Sequence, residues 1–246
     1  MKSKSSNLAT YGELGRFPLF IDIISQSINY FYNNVLHGEN KQLQLFIKEL
    51  LNNPSLVKNN LILQNKLLLE KSGLYLSKDI NYRIKRYLQM KFKEFWKDNI
   101  TTRFSKTSNS SGNKLRSYRL FKSVFKFESY LDQIKSFKHR KILCQFRISD
   151  HNLKIERGRY FNIPINERKC INCNLNEIED EFHFIIKCPT YNNERHILFN
   201  VIEKHNKYFN TYSDENKLYW ILSNESPECI NALIKFLEIC MSRRKD

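Results

Sequence analysis

The chain has little of what interrupts regular structure. Only 6 glycines and 5 prolines occur in 246 residues. A fold of many short strands needs frequent turn residues, so this scarcity argues for helices. Long apolar runs are also missing. Stretches such as "PLFIDII" fall far short of the ~20 residues that span a bilayer, so no membrane role is expected. The N-terminal "MKSKSSNLATYGELGRFP" has no apolar core and no cleavage site, so no secretory signal is read there. An intracellular protein, nuclear or cytoplasmic and not secreted, is expected. In reducing surroundings its 6 cysteines are free or metal-bound before they are disulfide-paired.

Signatures of catalysis are missing as well. The sequence has no nucleophile elbow, no glycine loop to cradle phosphate and no paired carboxylates at catalytic spacing. A hydrolytic enzyme is therefore not expected.

What is present is apolar bulk and positive charge. Hydrophobic residues make up 41%, with 18 phenylalanines and 13 tyrosines, enough for one large domain or two small ones. The formal charge of +16 is concentrated. Residues 81–147 hold eighteen basic and four acidic side chains, while residues 148–246 hold fourteen and fifteen. A polyanion partner is thus a local expectation about the central block, with an ordinary solvated surface as its alternative.

The spacing predicts a mainly α chain: a bundle-like helical region, then a small cysteine–histidine module with flanking helices. Helices are expected over 18–36, 41–51 and 56–71, and over 79–98. In the last, Ile80, Ile84, Tyr87, Leu88 and Phe95 share one face, while Arg83, Arg86, Lys93 and Lys97 share the other. "TSNSSGN" at 107–113 is small, polar and aperiodic, a linker between an N-terminal region 1–106 and a basic region 114–169. Two further helices are expected near 114–125 and 128–148, then an irregular connector over 149–169. A module at 170–206 and C-terminal helices within 207–246 follow. Residues 179–206 are expected to form one or two helices broken near Cys188–Pro189. Helices at 214–223 and 227–242 complete the pattern, the last with Ser226 as cap and Pro227 at its first position.

Within "CINCNLNEIEDEFHFIIKC" the spacing is Cys170-x2-Cys173-x9-His183-x4-Cys188. A Cys-x2-Cys turn can set two sulfurs about 2.3 Å from one zinc ion. Three thiolates and an imidazole close a tetrahedral set, which fits a structural Zn2+ better than a catalytic one. The deaminase signature, with His-x-Glu ahead of its cysteines, is absent. The acids Glu177, Glu179, Asp180 and Glu181 are read as a helix N-terminal turn. Cys144, Cys229 and Cys240 are read as buried free thiols, and His151 as a hydrogen-bonded structural histidine.

The stretch "RISDHNLKIERGRYFNIPINERKCINCNLNEIEDEFHFIIKCPTY" resembles the zinc-binding, zinc-knuckle-type region after the polymerase domain of non-LTR (LINE-like) retrotransposon reverse transcriptases. The matching positions are Arg168, Cys170, Cys173, Glu179, His183, Phe184, Cys188 and Pro189. "YGELGRFPL" and "KLRSYRLFKSVFKFESYL" extend the likeness from about Tyr11 to His196. No Tyr-x-Asp-Asp pair for magnesium is found, "TYSDEN" at 211–216 being only superficially alike. No polymerase is expected ahead of Tyr11, nor any endonuclease domain. The resemblance therefore implies the family's non-catalytic tail, as a truncated or domesticated remnant: an element holding RNA or DNA near an active site on a separate polymerase or endonuclease chain.

The expected phosphate contacts are Arg83, Arg86, Lys93, Lys97, Arg116, Arg119, Arg140, Lys141, Arg147, Arg157, Arg159 and Arg168, because a guanidinium grips phosphate with two hydrogen bonds. Tyr160 is expected to stack on unpaired bases. Phe161 beside it is read as core. A helical protein-interaction module carrying a structural zinc, without any nucleic-acid role, is the alternative.

Overall fold

A computed structural model describes residues 6–53, 67, 70, 71, 73, 80–101 and 115–244. Among these the chain is helical, without strands. The mainly α expectation holds. The expected helix 56–71 lies almost wholly outside the described residues, and the linker 107–113 lies wholly outside them. The chain forms two compact units, one from Arg16–Trp96 and the other from Met1–Gly15 with Lys97–Asp246.

In the unit Arg16–Trp96, α2 (Leu19–Tyr30) runs on as a wide π-type turn over Phe31–Leu36, and α3 (Lys41–Asn52) follows. α4 (Ile80–Thr101) packs Ile84 and Leu88 against Ile28, Phe31, Val35 and Ile47. The inward seam of α4 is Ile84, Leu88, Phe92 and Trp96, a four-residue step in which Leu88 is half-buried and the others are buried. Phe95 was expected on that face. It is 53% exposed, because it stands one residue before Trp96 and so points about 100° away from it.

In the other unit, α1 (Asn7–Leu14) is capped by the Ser6 hydroxyl, which accepts from Ala9 N, and ends at Gly15. Gly15 has φ +56°, and a Cβ there would stand 2.3 Å from the Phe127 nitrogen, so only glycine permits the close approach. That approach lets Leu14 bridge to Phe127 and Glu13 O accept from Glu128 N. The core of this unit is built by α5 (Phe137–Arg147), α7 (Asn192–His205), α8 (Asp214–Ser223) and α9 (Pro227–Arg243), with α6 (Lys154–Tyr160) between α5 and α7. Phe184 sits at its centre, with ring centroids 5.0 Å from Tyr191, 5.8 Å from Phe236 and 6.0 Å from Phe146.

Several expected boundaries shift. The helix expected near 114–125 is one turn, Tyr118–Phe121. The one expected at 128–148 is a turn at Tyr130–Gln133 followed by α5, because Ser136 takes an extended conformation and caps His139 N. The connector 149–169, read as irregular, contains α6. The first free amides of α6 are held from outside: Lys154 N donates to the Glu179 carboxylate at 2.7 Å and Ile155 N to the Glu179 carbonyl at 3.1 Å. A cap supplied from 25 residues away leaves no local signal. α8 and α9 match their expected spans closely, although the Ser226 hydroxyl bonds the Glu228 carboxylate instead of a helix amide.

Candidate metal centre

Two short pieces carry the donors. Lys169 and Ile178 form an antiparallel bridge, with Cys170 N donating to Glu177 O at 2.8 Å and Glu179 N to Arg168 O at 2.9 Å. The loop between them turns at Asn176, φ +56°, and presents Cys170 and Cys173. The second piece is a π-type turn over His183–Lys187 that ends at Cys188. In an α-helix residues five apart point about 140° away from each other. The wider turn, closed by Cys188 N donating to His183 O at 2.7 Å, brings His183 and Cys188 to one side. Pro189 follows and has no amide to continue the ladder.

The four donor atoms lie within 4.8 Å of one another, close enough to hold a single metal ion. Cys170 Sγ is 4.0 Å from Cys188 Sγ, and Cys173 Sγ is 3.4 Å from His183 Nε2. A tetrahedral site with metal–sulfur bonds of about 2.3 Å needs sulfurs about 3.8 Å apart, so little movement is required. Cys170, His183 and Cys188 are buried and Cys173 is half-buried. The hydrogen bond between Cys170 and Cys188, together with burial, pushes the Cys170 thiol up to about 12, while the same bond lowers Cys188. Thiolates crowded in this way repel unless a cation neutralises them.

The surroundings orient the donors. Glu177 Oε2 lies 3.1 Å from His183 Nδ1, which leaves Nε2 facing the cysteines. Burial works against a charged His183, but its bonds to Cys170 and Glu177 win, and its pKa is raised. Arg195 is buried and donates to Ile185 O at 2.7 Å and to Cys188 O, tying down the end of the π turn. The Thr190 hydroxyl donates to Asn172 O and fastens the loop to the segment after Cys188. Outer partners of this kind set ligand geometry, and losing one typically costs about 10–100-fold in metal affinity. Glu177→Gln should therefore lower affinity by about that factor without unfolding the chain, as chelator competition would read. An unchanged affinity would remove Glu177 from this role.

The acidic run does more than charge a helix start. Asp180 fits the expected role, its carboxylate accepting from His183 N at 2.8 Å. Glu179, fully buried, takes two hydrogen bonds from Arg244 at 2.8 and 2.7 Å. Glu181 accepts from Arg116 at 2.5 Å, Ser117 at 3.0 Å and Ser149 at 3.2 Å, and lies 2.7 Å from His151 Nε2. His151 is thus the hydrogen-bonded structural histidine expected, with Leu153 N on its other ring nitrogen. Cys229 and Cys240 are buried free thiols, as read, whereas Cys144, also read as buried, is a free thiol that is only half-buried.

Three arginines expected at phosphates are committed inside the fold. Arg147 is 5% exposed, bridges Glu13 and Glu128, and stacks over Phe121 and Tyr130. Arg168 is 2% exposed and donates to Ile163 O and Ile155 O. Arg116 is bound between Glu156 and Glu181. These guanidiniums are corrected from phosphate contacts to structural ties: each is held by carboxylates or carbonyls of the chain itself. Lys122 of the same basic block pairs with Glu128, an acid of that block, while Lys126 and Lys138 pair with Glu225 and Glu238, about 100 residues away. Part of the block's excess is thus neutralised by acids distant in sequence.

The remaining candidates differ in setting. Arg159 pairs with Glu156 at 2.7 Å, Arg140 is half-buried and donates to Leu131 O, and Arg119 and Arg157 are half-buried. Lys141 is exposed. Arg83, Arg86, Lys93 and Lys97 are all exposed on α4. Tyr160 is 38% exposed, and Phe161, read as core, is 67% exposed because α6 ends before it.

Gly158 has a role the sequence did not disclose. A Cβ there would meet the Arg168 side chain at 2.7 Å. Gly158→Ala should displace Arg168 and destabilise the fold by about 1–3 kcal/mol, the usual cost of overpacking. Chemical denaturation checks this, and an unchanged midpoint would mean that Arg168 yields freely.

No helix among the described residues is long and apolar enough to cross a membrane. Compared with protein-family models, with curated proteins and with solved structures, the chain has no match.

Proposed function

We propose that the chain is a non-catalytic nucleic-acid-binding module whose C-terminal part is fixed by a structural zinc ion on Cys170, Cys173, His183 and Cys188. The closed set of three thiols and one imidazole supports zinc, since no position is left for water or substrate. Its role is to clamp the Cys170–Cys173 loop to the π turn. The ligand-binding charge lies elsewhere.

The observation that carries the nucleic-acid reading is α4. Its seam faces inward, and its outer side exposes Arg83, Arg86 and Lys93, with no ion pair at Arg83 or Arg86 among the described residues. RNA and/or DNA is the partner, and the resemblance to a reverse-transcriptase tail implies that any catalytic step belongs to a separate polymerase or endonuclease chain. A salt titration of the full chain against a labelled nucleic acid tests this. Log K should fall by about 0.7–0.9 per neutralised phosphate for each tenfold rise in salt. A flat salt response, or no binding, would sink it. Zinc is tested separately by elemental analysis of the purified chain, where about one equivalent is expected for a four-donor site.

A second reading is a protein-interaction module. It is favoured by the exposed apolar side chains of α2, Leu19 at 71%, Ile23 at 58% and Phe20 at 50%. A partner that stays bound after nuclease treatment would support it over nucleic acid.

A further inference from the structure

α4 carries more than a row of cations. Along Tyr82–Lys93 it lines a groove of about 850 Å³, bounded among the described residues by Tyr82, Arg83, Arg86, Tyr87, Met90 and Lys93. Residues 82, 86, 90 and 93 form one stripe of the helix, because steps of three and four return to the same face. Aromatic, cationic, thioether and cationic side chains therefore alternate along a single line. No carboxylate lines the groove among the described residues, and the remaining cation there, Lys85, is already paired with Asp22 at 2.6 Å.

Exposure separates this stripe from a core face. Tyr82 is 68% exposed and Met90 47% exposed. Lys93 lies over the Phe17 ring at 5.7 Å, which steadies its long side chain while leaving the ammonium at the surface. A duplex hides its base faces in its own stack and offers such a groove only phosphates and base edges. A single strand offers phosphates and free base faces together. Cations that track a backbone, interleaved with rings that accept any base, are the two components of single-strand binding.

We propose that this groove binds single-stranded nucleic acid, with Tyr82 stacking on an unpaired base and Arg83, Arg86 and Lys93 holding the adjoining phosphates. The inference rests on the nucleic-acid function proposed above and adds its substrate class. Tyr82 projects from the surface, so its replacement leaves the core intact.

The test is fluorescence anisotropy of the full native chain with labelled oligo(U) and oligo(dT), and with a duplex of the same length, at fixed salt. Native protein should bind single strands about tenfold or more tightly than duplex. Tyr82→Ala should weaken single-strand binding by about tenfold, within the range measured for lost base stacking, and leave duplex binding unchanged. Tyr82→Phe should restore it, since the ring and not the hydroxyl stacks. The oligo(U) and oligo(dT) arms separate RNA from DNA, and tight binding of either supports the proposal. If Tyr82→Ala has no effect, or weakens single strand and duplex alike, the groove proposal is overturned while nucleic-acid binding stands. If no nucleic acid binds at all, both fall.

Discussion

Cys188→Ser is expected to strip the chain of metal and lower its melting temperature by about 10 °C or more. Cys188 is fully buried within the same core as Phe184, Ile185 and Ile186. A hydroxyl is a poor replacement for a thiolate on a soft site, and three donors would remain where four can enclose an ion. The effect is large because ion binding and folding are one process in such a module. In small zinc domains the ion contributes about 10–16 kcal/mol, while a whole domain is stable by only about 5–15 kcal/mol. A loss of only a few kcal/mol of that contribution is enough for the expected drop in melting temperature. Elemental analysis after dialysis and a thermal melt read the two consequences. Cys144→Ser, outside the cluster, should keep its metal. If Cys188→Ser retained both zinc and native melting, the cluster would be four unconnected side chains.

Arg147→Ala should be nearly as damaging, for a different reason. The guanidinium donates to Glu13 at 2.9 and 3.2 Å, to Glu128 at 2.6 Å and to the Leu222 carbonyl. Truncating it strands Glu13, only 1% exposed, as a buried carboxylate hydrogen-bonded through its side chain to Tyr130. Breaking one side of a buried pair typically costs about 3–5 kcal/mol, or about 10 °C in a chain of this size. The double variant Glu13→Gln with Arg147→Met should recover part of the loss, because it removes the stranded charge. Circular dichroism melts of the native chain and the two variants decide it. In protein that remains folded, Arg147→Ala should leave nucleic-acid affinity unchanged, whereas Arg83→Ala should lower it. The reverse pattern would return Arg147 to the interface.

Arg147 and Arg83 show where legibility in the sequence ends. Both stand in one basic block, and both look like phosphate contacts by composition. Arg147 is drawn inward by Glu13, 134 residues before it, and no local pattern records that distance. Arg116 and Arg168 were misread in the same way, one claimed by glutamates and the other by carbonyls. Phe161 was misread in the opposite direction, since bulk and hydrophobicity suggest a core and only the end of α6 exposes it. The cysteine cluster was legible because metal geometry imposes its spacing on neighbouring residues. Glu177 was not, although it lies only six residues before His183, because a carboxylate among four acids carries no mark of its partner.

By itself the sequence determined the helical class, the α8 and α9 spans, the candidate metal donors and the location of the basic block. Each of these follows from local rules: scarce turn residues, four-residue periodicity, capping residues and ligand spacing. Only the tertiary structure decided which cations are available. It also decided how His183 and Cys188 meet, through a turn closed by five-residue hydrogen bonding, and how α6 begins, on a glutamate 25 residues away. The physical reason is common to all three. Buried charges and free helix amides must find partners wherever the chain brings them, and those partners are set by contact in space, not by separation along the sequence.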